Sequence, residues 1–253
     1  MLSELIRNKK DQLAVYFTAG FPELDSTAAV LKSLDAADVN LIELGLPFSD
    51  SLVDGPTIQM SNQAALENGM NLQLLLEQLA AAQPLETPVI LMGSFNPIMQ
   101  FGVEYFLKVA KQSGVSAVIL PDLPPEEYEK HYQEKFEAAA IGACFLITSR
   151  SSEERIRYLD SLTTGFLYAV SSDAITGSQL EVNATQQEFF DRLSEMKLRN
   201  AYLIGFGIRD KATFQMACSN SNGAIIGSEF IRQIGESEDL SASIEEFVGG
   251  IRF

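Results

Sequence analysis

Histidine is almost missing from this chain of 253 residues, His131 being the only one. It lies in the charged helical stretch Glu126 to Glu137 and reads as a surface residue. A solitary imidazole supports neither a His-based zinc site nor a Ser-His-Asp triad. Cysteine is nearly as scarce: Cys144 sits in an apolar run and Cys218 in a helical pattern, with no C-x-x-C spacing. The two fit reduced structural thiols better than a disulfide. Basic residues are few, 18 Lys and Arg against 34 Asp and Glu, for a net charge of −16. That balance disfavours nucleic acid and anionic membranes, which both demand a basic face. A small anionic ligand stays open, because backbone N–H groups and helix N-termini bind a phosphate without net positive charge. No apolar run approaches the ~20 residues of a membrane span, and Met1 to Arg7 lacks a signal-peptide core. The expected compartment is the cytosol. Neither a Walker loop nor a G-x-G-x-x-G sequence occurs, so nucleotide cofactors have no motif support.

What is present is a regular succession of short apolar runs, in a chain that is 46% hydrophobic and long enough to bury a large core. The runs are Leu13 to Thr18, Leu41 to Leu44, Pro88 to Met92, Ala117 to Leu120, Ala143 to Ile147, Phe166 to Val170, Ala201 to Gly205 and Ala224 to Gly227. Each is bounded by Gly, Pro, Ser or Asp and reads as a strand. Amphipathic segments separate them: Ser26 to Ala37, Leu72 to Ala82, Val103 to Ser113, Pro125 to Ala139, Ser152 to Ser161, Gln186 to Met196 and Asp210 to Ser219, with Leu240 to Phe253 closing the chain. Eight strand-helix units in about 250 residues predict an α/β fold, a (β/α)₈ TIM barrel. Without a linker or a composition break, residues 1–253 read as one domain. A doubly wound open sheet is the rival, less natural with eight units.

In a barrel of this type the chemistry gathers at the C-terminal ends of the strands. There the sequence places Glu43 to Pro56, where an apolar strand runs into a Gly/Pro-rich loop carrying three carboxylates. Alternation puts Leu41, Glu43 and Gly45 on one face. Glu43 is therefore expected inside an apolar layer, where desolvation raises a carboxyl pKa toward the range useful for acid/base work. A structural glutamate satisfied by a polar partner fits the same pattern. Gly205-Phe206-Gly207 and Gly227-Ser228 close the last two strands and precede a short extra helix, Glu229 to Ile234, the place where phosphate-binding barrels hold a phosphate. The same glycines also suit tight turns. Ser171 to Ala184 is a long polar connection that reads as a moving cover. None of the strand runs contains a lysine, which disfavours a Schiff-base aldolase. Carboxylate acid/base chemistry on a small phosphorylated substrate remains, with Tyr16, Phe17, Tyr168 and Phe206 available as aromatic walls.

These residues resemble the tryptophan synthase alpha subunit family. Its pattern E-L-G-x-P-F-S-D-P-x-A-D-G-P-x-I-Q is matched by Glu43 through Gln59, with departures at Ser51 and Val53. Thr18-Ala19-Gly20, Leu91-Met92-Gly93, Asn96-Pro97, Pro121-Asp122-Leu123-Pro124, Ile175-Thr176-Gly177, Gly205-Phe206-Gly207 and Gly227-Ser228 extend the match over nearly the whole chain. The resemblance implies a cofactor-free retro-aldol cleavage of indole-3-glycerol phosphate to indole and glyceraldehyde 3-phosphate. By resemblance Glu43 is the general acid/base and Asp54 accepts the ring N–H. Tyr16 and Phe206 flank the indole, Tyr168 lines the site, and Gly177, Gly207, Gly227 and Ser228 hold the phosphate. No metal is implied. Family members work as αββα complexes that pass indole to a pyridoxal-phosphate beta subunit, and Asp50 to Asp54, Asn96-Pro97 and Pro124 are the implied contact surface. Loop six departs from the family: Ser172 is followed by Asp173 where arginine is common, and Ala174 replaces a glycine. Phe21-Pro22 stands for the usual Asp-Pro, and Thr148-Ser149-Arg150 replaces a proline- and threonine-rich segment. Arg150 and Arg209 are candidates to replace the lost loop arginine. A stand-alone lyase, an alpha-like chain that activates a partner with little catalysis of its own, and a sugar-phosphate isomerase or epimerase are the other readings.

Overall fold

The computed structural model describes residues 2–50, 54–170, 184–205 and 207–252. Eight strands run β1 Gln12–Thr18, β2 Leu41–Gly45, β3 Val89–Met92, β4 Val115–Ile119, β5 Gly142–Thr148, β6 Leu167–Val170, β7 Tyr202–Ile204 and β8 Gly223–Ile226. Each is hydrogen-bonded in parallel to the next in sequence order, and β8 returns to β1 to close the barrel. Closure excludes the open doubly wound sheet. Every residue of β1, β2 and β8 is buried, because the barrel interior covers one face and the helix ring the other. That two-sided burial is why these strands read as unbroken apolar runs instead of alternating ones.

Most expected helices lie within two residues of their sequence bounds, and Leu72–Ala82 matches at both ends. The stretch from Pro125 to Ala139 is corrected to two helices, Pro125–His131 and Gln133–Ala138. The break falls at Tyr132, whose ring stands edge-on to Phe95 with centroids 5.0 Å apart. Helices Leu2–Ile6, Pro56–Glu67 and Phe95–Phe101 have no counterpart in the sequence reading. The second of these buries only Ser61, Asn62 and Ala65, so it lacks the apolar stripe that periodicity detects. Both cysteines are buried and free. Among the described residues, no helix is long and apolar enough to cross a membrane.

Tyr128 packs under Pro125–His131, with its ring edge-on to Phe136 at 5.5 Å and to Phe145 at 5.2 Å. Its phenol oxygen is buried without a hydrogen-bond partner among the described residues. Leaving a buried hydroxyl unpaired costs free energy that the ring packing does not recover. Tyr128→Phe keeps the ring and removes that cost. We expect a gain of about 1 kcal/mol in chemical denaturation, and a loss of stability would show that the hydroxyl is satisfied.

Candidate active site

β2 carries its glutamate into the barrel. The registers set Tyr16, Glu43 and Ile90 side by side on β1, β2 and β3. The Tyr16 ring lies so close over Gly45 that a β-carbon there would overlap its phenol oxygen, and its other edge rests on Gly227. Tyr168 lies over Gly205 in the same way. Only glycine leaves room for these two rings to lie flat on the inner wall. Glu43 is 0% exposed, and neither carboxylate oxygen has a hydrogen-bond partner among the described residues. The structural role open to it at the sequence level, a glutamate satisfied by a polar partner, is not what these contacts provide.

Burial removes the water that would stabilise the charged carboxylate, and the nearby negative charge of Asp54 adds to the effect. Together they push the Glu43 pKa up to about 8. At neutral pH the group therefore holds its proton, as a general acid must. Tyr16 and Tyr168 are raised far above the usual phenol range, first by burial and then by Asp54 and Glu43. Those mutual influences place Glu43, Asp54, Tyr16 and Tyr168 in one electrostatic group. Burial also pushes the Cys144 thiol up to about 12, so it is no nucleophile at neutral pH.

Asp54 sits at the rim, just ahead of the helix Pro56–Glu67. One carboxylate oxygen accepts from Asn62 Nδ2 at 3.2 Å, and its carbonyl accepts from Gln59 Nε2 at 2.9 Å. Tyr16, Asp54 and Asn62 line a cavity of about 420 Å³ walled by Leu46, Phe48, Met92 and Pro121. At its far side Ser94 Oγ and the Phe95 N–H both donate to the Asp122 carboxylate, which joins the ends of β3 and β4. The cavity is apolar with a few fixed polar groups, the composition of a small-molecule site. Ser94 and Asp122 belong to the strand-end segments where the sequence gathers its unusual residues, without a role assigned to either, and Asn62 is the residue that sequence reasoning missed. Asn62 was hidden because its helix shows no apolar period.

The glycine-rich ends of β7 and β8 lie across the barrel mouth. Gly207 is exposed with φ +65°, a conformation other residues rarely adopt. Ser228 begins the helix Ser228–Gly235 directly after Gly227, which gives no side-chain cap, so the first N–H groups of the helix have no partner within it. Glu229, the acidic residue of that turn, is paired with Arg232. Gly177 and Phe206, and with them the loop-six cover, lie outside the described residues. Arg150 is exposed in the turn after β5, and Arg209 Nε is 3.9 Å from Asp210. Among the described residues no cluster of three or more His, Cys, Asp or Glu is arranged to hold a metal ion.

A family profile described as tryptophan synthase alpha chain matches residues 2–248. The chain belongs to that family. The tryptophan synthase alpha chain of Flavobacterium psychrophilum is 46% identical over 251 residues, covering 99% of this chain and 98% of the relative. That of Bacteroides thetaiotaomicron is 46% identical over 238 residues, 94% of this chain and 93% of the relative. The X-ray structure of a tryptophan synthase complex from Pyrococcus furiosus contains a chain that superposes with a TM-score of 0.87 at 32% identity. That likeness covers 96% of this chain and 98% of the other.

Proposed function

We propose that this chain cleaves indole-3-glycerol phosphate to indole and glyceraldehyde 3-phosphate. It acts as the alpha subunit of tryptophan synthase in L-tryptophan biosynthesis and passes indole to a beta subunit within an α2β2 heterotetramer. The observation that carries this reading is Glu43, a fully buried carboxyl without a hydrogen-bond partner among the described residues, next in register to Tyr16 and within the electrostatic reach of Asp54, both of which line the apolar cavity. Breaking the bond between the side chain and indole C3 requires a proton at C3 and removal of one from the side-chain hydroxyl. Glu43 serves both transfers, since a carboxyl that has given up its proton is then a base. Positive charge developing on the ring is met by Asp54, which accepts the ring N–H. Tyr16 and Phe206 flank the ring, Tyr168 lines the site, and Gly177, Gly207, Gly227 and Ser228 bind the phosphate through backbone N–H groups and the helix start.

Partner binding is supported by the rim beside the cavity. Met60, in the helix that follows Asp54, and Met99, in the helix that carries Asn96-Pro97, are large apolar side chains 49% and 54% exposed. Apolar surface of this kind, near polar loops, suits a protein contact. The same reading takes residues 1–253 as one domain, because the β8 to β1 pairing joins the two ends of the chain, and takes the cytoplasm as its compartment.

The test is indole release from indole-3-glycerol phosphate by the purified chain, with and without a beta subunit. We expect slow turnover alone and a marked rise on adding beta, since a partner bound at the rim beside Asp54 would fix the position of that carboxylate. Equal turnover in both conditions would favour a stand-alone lyase. No activity in either would leave the alpha-like activator or a different phosphorylated substrate.

A further inference from the structure

The helix Pro56–Glu67 is held differently from its neighbours. Helix Leu72–Ala82 buries Leu72, Leu75, Leu76 and Leu79, and Ser228–Gly235 buries Phe230, Ile231 and Ile234. Pro56–Glu67 buries two polar side chains and one alanine. Apolar packing is non-directional and tolerates sliding, whereas hydrogen bonds between buried groups fix distance and angle. Beside Ala65 only Ile58 and Ala64, both partly buried, pack against the core, so the directional part of its anchoring comes from its polar contacts.

Those contacts form two anchors. At the far end Asn68 Nδ2 donates to the Gly20 and Pro22 carbonyls, both at 3.0 Å. At the near end Ser61 Oγ donates to the Ile58 carbonyl at 2.9 Å and lies 2.7 Å from Thr18 Oγ1. Ser61 and Thr18 are both 0% exposed. Because the one Ser61 proton is committed to Ile58, Thr18 must be the donor in the short hydroxyl pair. The Thr18 oxygen is then left to accept from the Tyr16 hydroxyl, 3.5 Å away. A directed chain results, from Tyr16 through Thr18 and Ser61 to the Ile58 carbonyl. It ties the inner wall of β1 to the first turn of the helix. The next residue, Asn62, holds the Asp54 carboxylate.

We infer that Ser61 and Thr18 are positioning residues for Asp54: their buried hydroxyl pair fixes the helix against β1, and the helix in turn sets the Asp54 carboxylate against Tyr16 and Glu43. Neither residue touches substrate in this scheme. The inference rests on the lyase reading for its consequence in turnover, and on the geometry alone for the anchoring itself. Asp54 needs such a device because it follows a loop and lies on no strand, so its position is inherited from the helix behind it.

The experiment compares Ser61→Ala, Thr18→Val and Thr18→Ser in complex with beta, each also in an Asp54→Asn background. Small displacements of a charge-stabilising group reduce turnover steeply, so Ser61→Ala and Thr18→Val should each lower kcat about tenfold with KM nearly unchanged. Thr18→Ser, which keeps the hydroxyl, should restore most of it. In the Asp54→Asn background Ser61→Ala should cost nothing further, because the group it positions is already disabled. Amide hydrogen exchange over residues 54–62 should rise in Ser61→Ala while β1 and β2 stay protected. An equal kcat loss in both backgrounds, or wild-type kcat in Ser61→Ala, would overturn the inference. If the wild-type complex makes no indole, the lyase reading falls, and the exchange measurement still decides the anchoring: unchanged exchange over 54–62 would refute it.

Discussion

Glu43→Gln is expected to lower indole release by about a thousandfold or more, with the barrel intact and substrate affinity little changed. Glutamine has the shape of glutamic acid, and the site offers the carboxyl no hydrogen bond among the described residues that the amide would break. What is lost is the transferable proton, and general acid/base groups contribute roughly 10²–10⁴ in rate. The substitution has a second consequence with a definite sign. The pKa of Glu43 is raised from an ordinary 4.5 to about 8 on folding. Between those values the native state keeps a proton that the unfolded state releases, so stability falls as pH rises. The contribution of this carboxyl is fully present below about pH 4.5 and is gone above about pH 8. Glutamine carries no such dependence. The variant should match the wild type near pH 4.5 and exceed it progressively up to pH 8, by an amount on the order of a few kcal/mol. Urea denaturation at several pH values measures this. A gap that fails to widen with pH would show that Glu43 is solvated or paired in solution.

Asp160→Ala should be the most destabilising single change away from the site. Asp160 is 4% exposed, at the end of the helix Glu153–Leu162. Its carboxylate accepts from the Arg199 N–H at 2.8 Å, the Asn200 N–H at 3.0 Å and Asn200 Nδ2 at 3.0 Å. The Asn200 amide also reaches the carbonyls of Asp160 and Thr163. This network fixes the turn that feeds β7. Alanine would strand several buried donors at once. Charge-assisted hydrogen bonds are worth about 1.5–3 kcal/mol each, and unpaired buried groups add their own desolvation cost. A loss of roughly 3–5 kcal/mol follows, which for a chain of this size lowers Tm by on the order of 10 °C. A shift of only one or two degrees would mean that water replaces the carboxylate at little cost.

The strands were legible because burial on both faces turns each one into an apolar run with a polar stop, and eight such runs leave few folds to choose from. Glu43 stood out because a carboxylate in the middle of one of them breaks that rule. Pro56–Glu67 stayed hidden for the opposite reason: Thr57, Gln59, Ser61, Asn62 and Gln63 give no apolar period, although the helix is as regular as the others. The break at Tyr132 was equally invisible: it coincides with a ring contact to Phe95, more than thirty residues away in the chain. Asp122 is marked in sequence by its strand-end motif, but its partners are not: only when β3 and β4 lie side by side do Ser94 and the Phe95 N–H reach its carboxylate.

Local chemistry thus determined the strand-helix repeat, the buried glutamate and the glycine turns, and the motif at Glu43 to Gln59 carried the family resemblance. All of these are properties of residues close together in the chain. The tertiary structure alone decided that β8 pairs with β1, that Tyr16 lies between Gly45 and Gly227, that Glu43 is without a hydrogen-bond partner among the described residues, and that Ser61 meets Thr18. Each of those depends on residues that only barrel closure brings together. Desolvation and hydrogen-bond geometry are set by what surrounds a group in space, and chain order does not encode that directly.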